Sequence, residues 1–210
     1  MQGANRDDTR SRIIEAALKL LRRYGEDKLT VVDIARSLDM SHANVYRFFR
    51  NKTDILDTIV DEWLKKVEAF LEEVADGPGT VAERIEAVVL QLHLKRREKF
   101  LQDAEVYEAF RRLFELRPEA APRHRLAIMA VFKRLIAEGV VSGEFLPIDS
   151  DEVAVVLKDA TSLFLHPLMI PTVLHQPTEE RARKLVRYFL AAITASPVRR
   201  VPDADAARTT

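Results

Sequence analysis

The stretch Ser41–Lys52, SHANVYRFFRNK, places one tyrosine, two phenylalanines, one histidine, two asparagines, two arginines and a lysine in twelve residues, without glycine or proline. Aromatic bulk beside cationic and hydrogen-bonding tips suits a short helix that buries one face in a small core and presses the other against a polyanion. Ser41 is a good N-cap. Val45, Phe48 and Phe49 share a face of the helix that follows it, while His42, Asn44 and Arg47 point elsewhere. Just upstream, Thr30 with Asp33 has the form of a capping box, and Ile34, Ala35 and Leu38 supply a stripe about two turns long. Two short helices joined by SLDMS have the layout of a helix-turn-helix, whose second helix lies in the DNA major groove.

That layout assigns jobs. Ser41 caps the second helix, whose free amides suit a phosphate. His42, Ala43 and Asn44 stand on the first turn, nearest to base edges; asparagine can pair bidentately with adenine, and a small alanine admits a thymine methyl. Arg47 can reach guanine or phosphate, and Tyr46 offers a ring for packing and a hydroxyl for phosphate. Thr30 and Lys52 sit at helix starts where backbone phosphates would pass. The charge pattern alone is weak support: residues 1–52 hold eleven Lys/Arg against seven Asp/Glu, in a chain whose 33 basic and 33 acidic residues cancel.

Helical spacing continues on both sides. Ile14, Ala17, Leu18, Leu21 and Tyr24 mark a first helix that Gly25 can cap. After Asn51 and Asp54, a fourth helix of about six turns runs through Ile55, Ile59, Trp63, Val67, Phe70 and Val74 to the breaker DGPGT at 76–80. Thr80 and Glu83 open the next, with Ile85, Val88, Val89 and Leu92; the run LKRREK at 94–99 that follows reads as a solvated helix end. Further helices are expected over 104–115, over 123–138 with Gly139 as the stop, from 151 to about 165, and from 178 to about 195. No hairpin signal or repeat occurs. The expected class is all-α: a helix-turn-helix domain over 1–51, a helical domain over 52–195, and a disordered tail over 196–210.

Composition narrows the chemistry. The absence of cysteine excludes disulfides, thiolate zinc sites and a cysteine nucleophile. Five histidines (His42, His93, His124, His166, His175) are scattered without a zinc spacing, and HExxH, GxSxG, P-loop and GxGxxG patterns are missing, so no catalytic residue, metal or cofactor is expected. The polar start MQGANRDDTRSR has no apolar leader segment and no apolar run approaches the length of a membrane span, which predicts a cytoplasmic protein without membrane contact.

The segment TVVDIARSLDMSHANVYRFFRNKTDIL resembles the DNA-binding signature of the TetR family of bacterial transcriptional regulators. Thr30, Ile34, Ala35, Ser41, Tyr46, Phe49, Lys52 and Leu56 fall on its pattern. Three positions depart from it: Asp39 and Ala43 stand where glycine is common, and Phe48 replaces a frequent histidine or tyrosine. The resemblance implies that residues 52–195 form an effector-binding and dimerisation domain, and that the protein is a homodimer joined through the last two long helices, bound to palindromic double-stranded DNA and released by a small-molecule effector. Pocket walls need apolar side chains with a few polar groups, and Trp63, Val67, Phe70, His93, Phe100, Tyr107, Phe110, Phe132 and Phe164 are the candidates, followed by His124 and His166. A regulator without an effector, controlled by a protein partner or acting as an activator, is the alternative; an enzyme on a helical scaffold is the remote one.

Overall fold

Side-chain caps set where the helices begin. In the computed structural model, which describes residues 2–116, 122–176 and 178–194, ten α-helices follow one another among the described residues, with one isolated β-bridge, Phe145 to Thr194. The expected tail over 196–210 lies outside the described residues. α1 (Gln2–Tyr24) ends at Gly25, whose φ of 76° favours glycine and whose amide donates to the Leu21 carbonyl at 2.8 Å. α2 (Val31–Ser37), α3 (His42–Tyr46) and α4 (Lys52–Ala75) are capped by Thr30, Ser41 and Asn51, each accepting from an amide three residues on. α5 (Val81–Gln102) carries a full Thr80–Glu83 capping box, and the Glu144 carboxylate accepts from the Val81 and Ala82 amides at 2.8 and 2.7 Å. α6 (Ala104–Leu116), α7 (Pro122–Val141), α8 (Ser150–Ala160), α9 (Ser162–Leu165) and α10 (Thr178–Ile193) follow.

Three cores lie along α4. Ile55, Leu56 and Ile59 close the N-terminal core with Ile13, Leu21, Ile34, Val45 and Phe49, and Val106 of α6 joins them. This core therefore continues past residue 51. Val60 and Leu64 pack with Tyr107, Phe110 and Ile170. Val67, Leu71 and Ala75 enter the largest core, with side chains from α5, α7, α8, α9 and α10.

Tertiary packing corrects three readings of the sequence. The run 94–99 is not a solvated end: α5 continues to Gln102, and Arg96 is only 3% exposed. The segment 151–165 is two helices. Thr161 is buried between them and its hydroxyl donates to the Leu157 carbonyl at 2.7 Å. Gly139 does not stop α7, which runs on to Val141. It is glycine because the buried Phe145 ring folds back onto it, leaving no space for a β-carbon, while the Phe145 amide donates to the Gly139 carbonyl at 2.9 Å. Gly139→Ala should therefore destabilise the protein by about 1–3 kcal/mol, the usual cost of overpacking, despite the better helix propensity of alanine. Urea denaturation measures this, and an unchanged or raised midpoint would contradict the packing.

Candidate functional site

Within the α2–α3 unit, core packing decides which side chains remain for a partner. Val45 and Phe49 are buried, Phe48 rests half-buried on the same core, and the Arg10 guanidinium lies 4.9 Å from the centre of the Phe49 ring. Thr30, Ser41, His42, Ala43, Tyr46 and Arg47 are exposed. The rings of His42 and Tyr46 meet edge to face at 6.2 Å. Arg47 has no ion-pair partner among the described residues, whereas Arg36 nearby is paired with Asp33 at 3.1 Å.

Some expected contact groups carry local duties as well. The Thr30 hydroxyl accepts from the Asp33 amide at 3.1 Å and donates to the Asp33 carboxylate at 2.5 Å. Ser41 Oγ accepts from the Asn44 amide at 3.2 Å, and α3 has only five residues, so little helix stands behind the anion role expected of its amides. Asn44 is half-buried with Nδ2 at 3.9 Å from Met40 Sδ, and must turn off the sulfur to reach a base. Lys52 Nζ donates to the Glu26 carbonyl at 2.9 Å, tying the start of α4 to the α1–α2 loop while two N–H groups remain.

The pocket candidates separate into groups. Trp63, Val67 and Phe70 line a cleft of about 490 Å³ with Arg22, Lys95 and Lys99. Tyr107, Phe110 and Phe100 form an aromatic cluster against Trp63, with Trp63 and Phe110 at 4.8 Å and the Tyr107 hydroxyl donating to the Pro167 carbonyl at 2.8 Å. Phe132 and Phe164 belong to the largest core. His93 is buried, with its ring nitrogens 2.9 Å from the Phe164 carbonyl and 2.8 Å from the Thr178 hydroxyl, a bridge from α5 to α9 and α10.

A second cavity, of about 350 Å³, lies among α5, α7, α8 and α9, and its walls include Leu92, Arg96, His124, Ile128, Leu165 and His166. Arg96 is the group that sequence reasoning missed. The signal was present: Ile85, Val89, Leu92 and Arg96 continue one helical stripe, so the arginine occupies an inward position. Its Nη2 is 3.1 Å from His124 Nε2, and His124 Nδ1 is 2.9 Å from Glu68 Oε1 on α4. Burial, then the charges of Arg96 and Arg123, push the His124 pKa down to about 3. The neutral ring can then accept from Arg96 and donate to Glu68, so one relay joins α5, α7 and α4. Among the described residues no group of three or more His, Asp or Glu is arranged to hold a metal, and no helix is long and apolar enough to cross a membrane.

Known proteins share both halves of this arrangement. Residues 13–59 match the model of the bacterial regulatory proteins of the tetR family, and residues 81–186 match the tetracyclin repressor-like C-terminal domain. The chain belongs to the TetR family. The uncharacterised HTH-type transcriptional regulator YhgD of Bacillus subtilis (strain 168) is 22% identical over 151 residues, which span 71% of this chain and 78% of that protein. A TetR/AcrR-family regulator from Thermobifida fusca is 25% identical with a TM-score of 0.62, over 87% of this chain and 97% of that one. FadR of Bacillus subtilis, solved in complex with stearoyl-CoA, shares the fold with a TM-score of 0.63 at 17% identity, over 87% and 98% of the two chains. This TetR-family chain is thus a DNA-binding transcriptional regulator and not an enzyme.

Two features of this TetR-family chain have measurable consequences. Asp39, in the turn before α3, has φ of 53°, in the left-handed region where glycine is favoured and aspartate is tolerated. Asp39→Val should cost about 1–2 kcal/mol because a β-branched side chain resists that conformation, while Asp39→Gly should stay within about 1 kcal/mol of the parent in denaturant titration. The second concerns acid. His93, His124 and His166 all have folded-state pKa values below the ordinary histidine value, with burial the leading cause. The unfolded chain then binds more protons, so their stabilisation is present above about pH 6.5 and is lost as pH falls toward the folded values. Glu68, raised by burial, opposes this at lower pH. His124→Gln should flatten the fall in stability between about pH 6.5 and 4.5; an unchanged slope would show that His124 is not held neutral.

Proposed function

We propose that this regulator is a homodimeric repressor that binds a palindromic operator and is released by a small-molecule effector. The observation that carries the DNA half is the exposed set His42, Ala43 and Tyr46 on α3 with Arg47 at its C-cap, held outward because Val45 and Phe49 occupy the core. Dimerisation is supported by unpartnered apolar surface on the last helices. Val155 and Val156 of α8 are 44% and 50% exposed, and Tyr188 of α10 is 75% exposed beside exposed Ala191 and Ala192. Ala154 and Thr161 face inward in the chain and do not add to that surface. A two-fold protein places two recognition helices in successive major grooves, roughly 34 Å or slightly more apart. The effector half is supported by the cleft beside α4, by the cavity among α5, α7, α8 and α9, and by the fold shared with FadR, which was solved with stearoyl-CoA.

In this mechanism α4 is the lever. Its first turns are bound to the DNA-binding core and its later turns to the effector region, so a ligand that prefers one tilt of α4 changes the spacing of the two heads. A differential affinity of a few kcal/mol is enough to change occupancy strongly. Thr30, Ser41, Asn44 and Lys52 complete the proposed DNA contacts.

Capture of fragmented genomic DNA by the purified protein, followed by titration of the retained sites against salt, tests the reading. The expected result is a palindromic site, two chains per site by sedimentation, and a steep fall of affinity with salt. Arg47→Ala should cost about 1–3 kcal/mol and relax preference at one position. A monomer on a non-repeated site, or equal loss on all sequences, would refute the dimer or the base-reading role respectively.

A further inference from the structure

Among the described residues, Arg96 is a buried cation without a counter-ion. Its Nη2 faces the neutral ring of His124, its Nε is buried with no hydrogen-bond partner, and no described carboxylate forms an ion pair with it. Its guanidinium carbon is 6.0 Å from the centre of the Phe110 ring, a weak compensation. Leaving a charge buried and unpaired is costly, so such a group persists where a ligand supplies the missing partner or where the chain gains some other advantage. Here the arginine lines a cavity, and that separates the two cases.

The rest of the wall fits one ligand class. Leu92, Ile128, Met129 and Leu165 make an apolar surface beside Arg96. Arg125, Lys158 and His166 also line the cavity, and the lining carboxylate, Asp159, is already paired with Lys158 at 2.6 Å. The volume of about 350 Å³ is near the lower end for small-molecule sites, about 300–1,000 Å³, and is too small to enclose a nucleotide-bearing thioester. We infer that this cavity takes a small amphipathic acid, its oxyanion accepting from Arg96 and its apolar body lying against Leu92, Ile128 and Leu165. The inference rests on the effector reading above and gives it a chemical class.

The same geometry supplies a route to α4. An oxyanion that pairs with Arg96 competes with His124 for the guanidinium, and His124 is the middle of the relay that ends on Glu68. Glu68 also accepts from Arg123, which bridges to Asp61 one to two turns earlier on α4. Loading the cavity therefore alters the polar contacts that fix α7 against the lever.

Calorimetric titration of the full-length protein with octanoate, decanoate, dodecanoate and 4-phenylbutyrate, against 1-decanol, tests the site. At least one acid should saturate at one per chain and raise the melting temperature, with 1-decanol at least tenfold weaker. Arg96→Gln, which keeps a donor for His124, and Arg96→Met should each weaken the acid at least tenfold with unchanged circular dichroism. If both variants fail to fold, the comparison of acid with alcohol on the parent decides. No binding by any of the acids, equal binding of the alcohol, or undiminished acid binding by Arg96→Gln would overturn the inference. Failure of the effector reading looks different: the acids bind through Arg96 but leave operator affinity unchanged. Conversely, a neutral compound that releases DNA while the acids do not bind would keep the effector reading and discard this site.

Discussion

The continuous apolar stripe of α4 is the constraint on which the remaining structure depends. Ile55, Leu56 and Ile59 are shared with the N-terminal helices, Val60 and Leu64 with α6, and Val67, Leu71 and Ala75 with the large C-terminal core. A single helix that must satisfy three cores cannot shift in one without straining the others, because packed interiors have few voids to absorb movement. The same helix begins at the Asn51 cap, only a few residues after the exposed face of α3. The helix-turn-helix and the C-terminal core are thus mechanically joined by burial, and not by a flexible linker.

A second connection is softer. Val106 of α6 enters the N-terminal core, and polar pairs surround it: Arg22 holds Asp103 through contacts of 3.0 and 2.7 Å, and Arg112 reaches Asp27 at 3.1 Å. Arg22 and Asp27 are largely exposed, so solvent screening keeps the contribution of each pair small. Contacts of that size can be exchanged during a change of tilt. In the proposed tilt, the α4 cores move as a body and these pairs rearrange around them.

Local chemistry made the DNA-binding half legible. The caps Thr30, Ser41 and Asn51, the glycine stop at Gly25 and the inward positions Val45 and Phe49 involve neighbours within a turn or two in sequence, and the structure has each of them where the spacing put it. The C-terminal half was legible as helices but less so as a site. Arg96 looked solvated because it sits in a charged run, although its place in the stripe pointed inward, and Gly139 looked like a stop because its reason, the Phe145 ring, arrives through a turn. Among the pocket candidates, Trp63, Val67 and Phe70 reached a cleft wall, while Phe132 and Phe164 joined the core. Aromatic residues mark buried volume equally well in both settings, so residue type cannot separate them.

By itself the sequence determined the all-helical class, the helix-turn-helix and the polarity of α3, because capping, periodicity and turn chemistry act between residues close along the chain. Only the tertiary structure decided that Arg96 is buried with no described carboxylate paired to it, that His124 links it to Glu68 on α4, and that Gly139 makes room for a ring. Desolvation and steric exclusion are set by whatever the fold brings near, from residues tens of positions away. No local pattern records those neighbours.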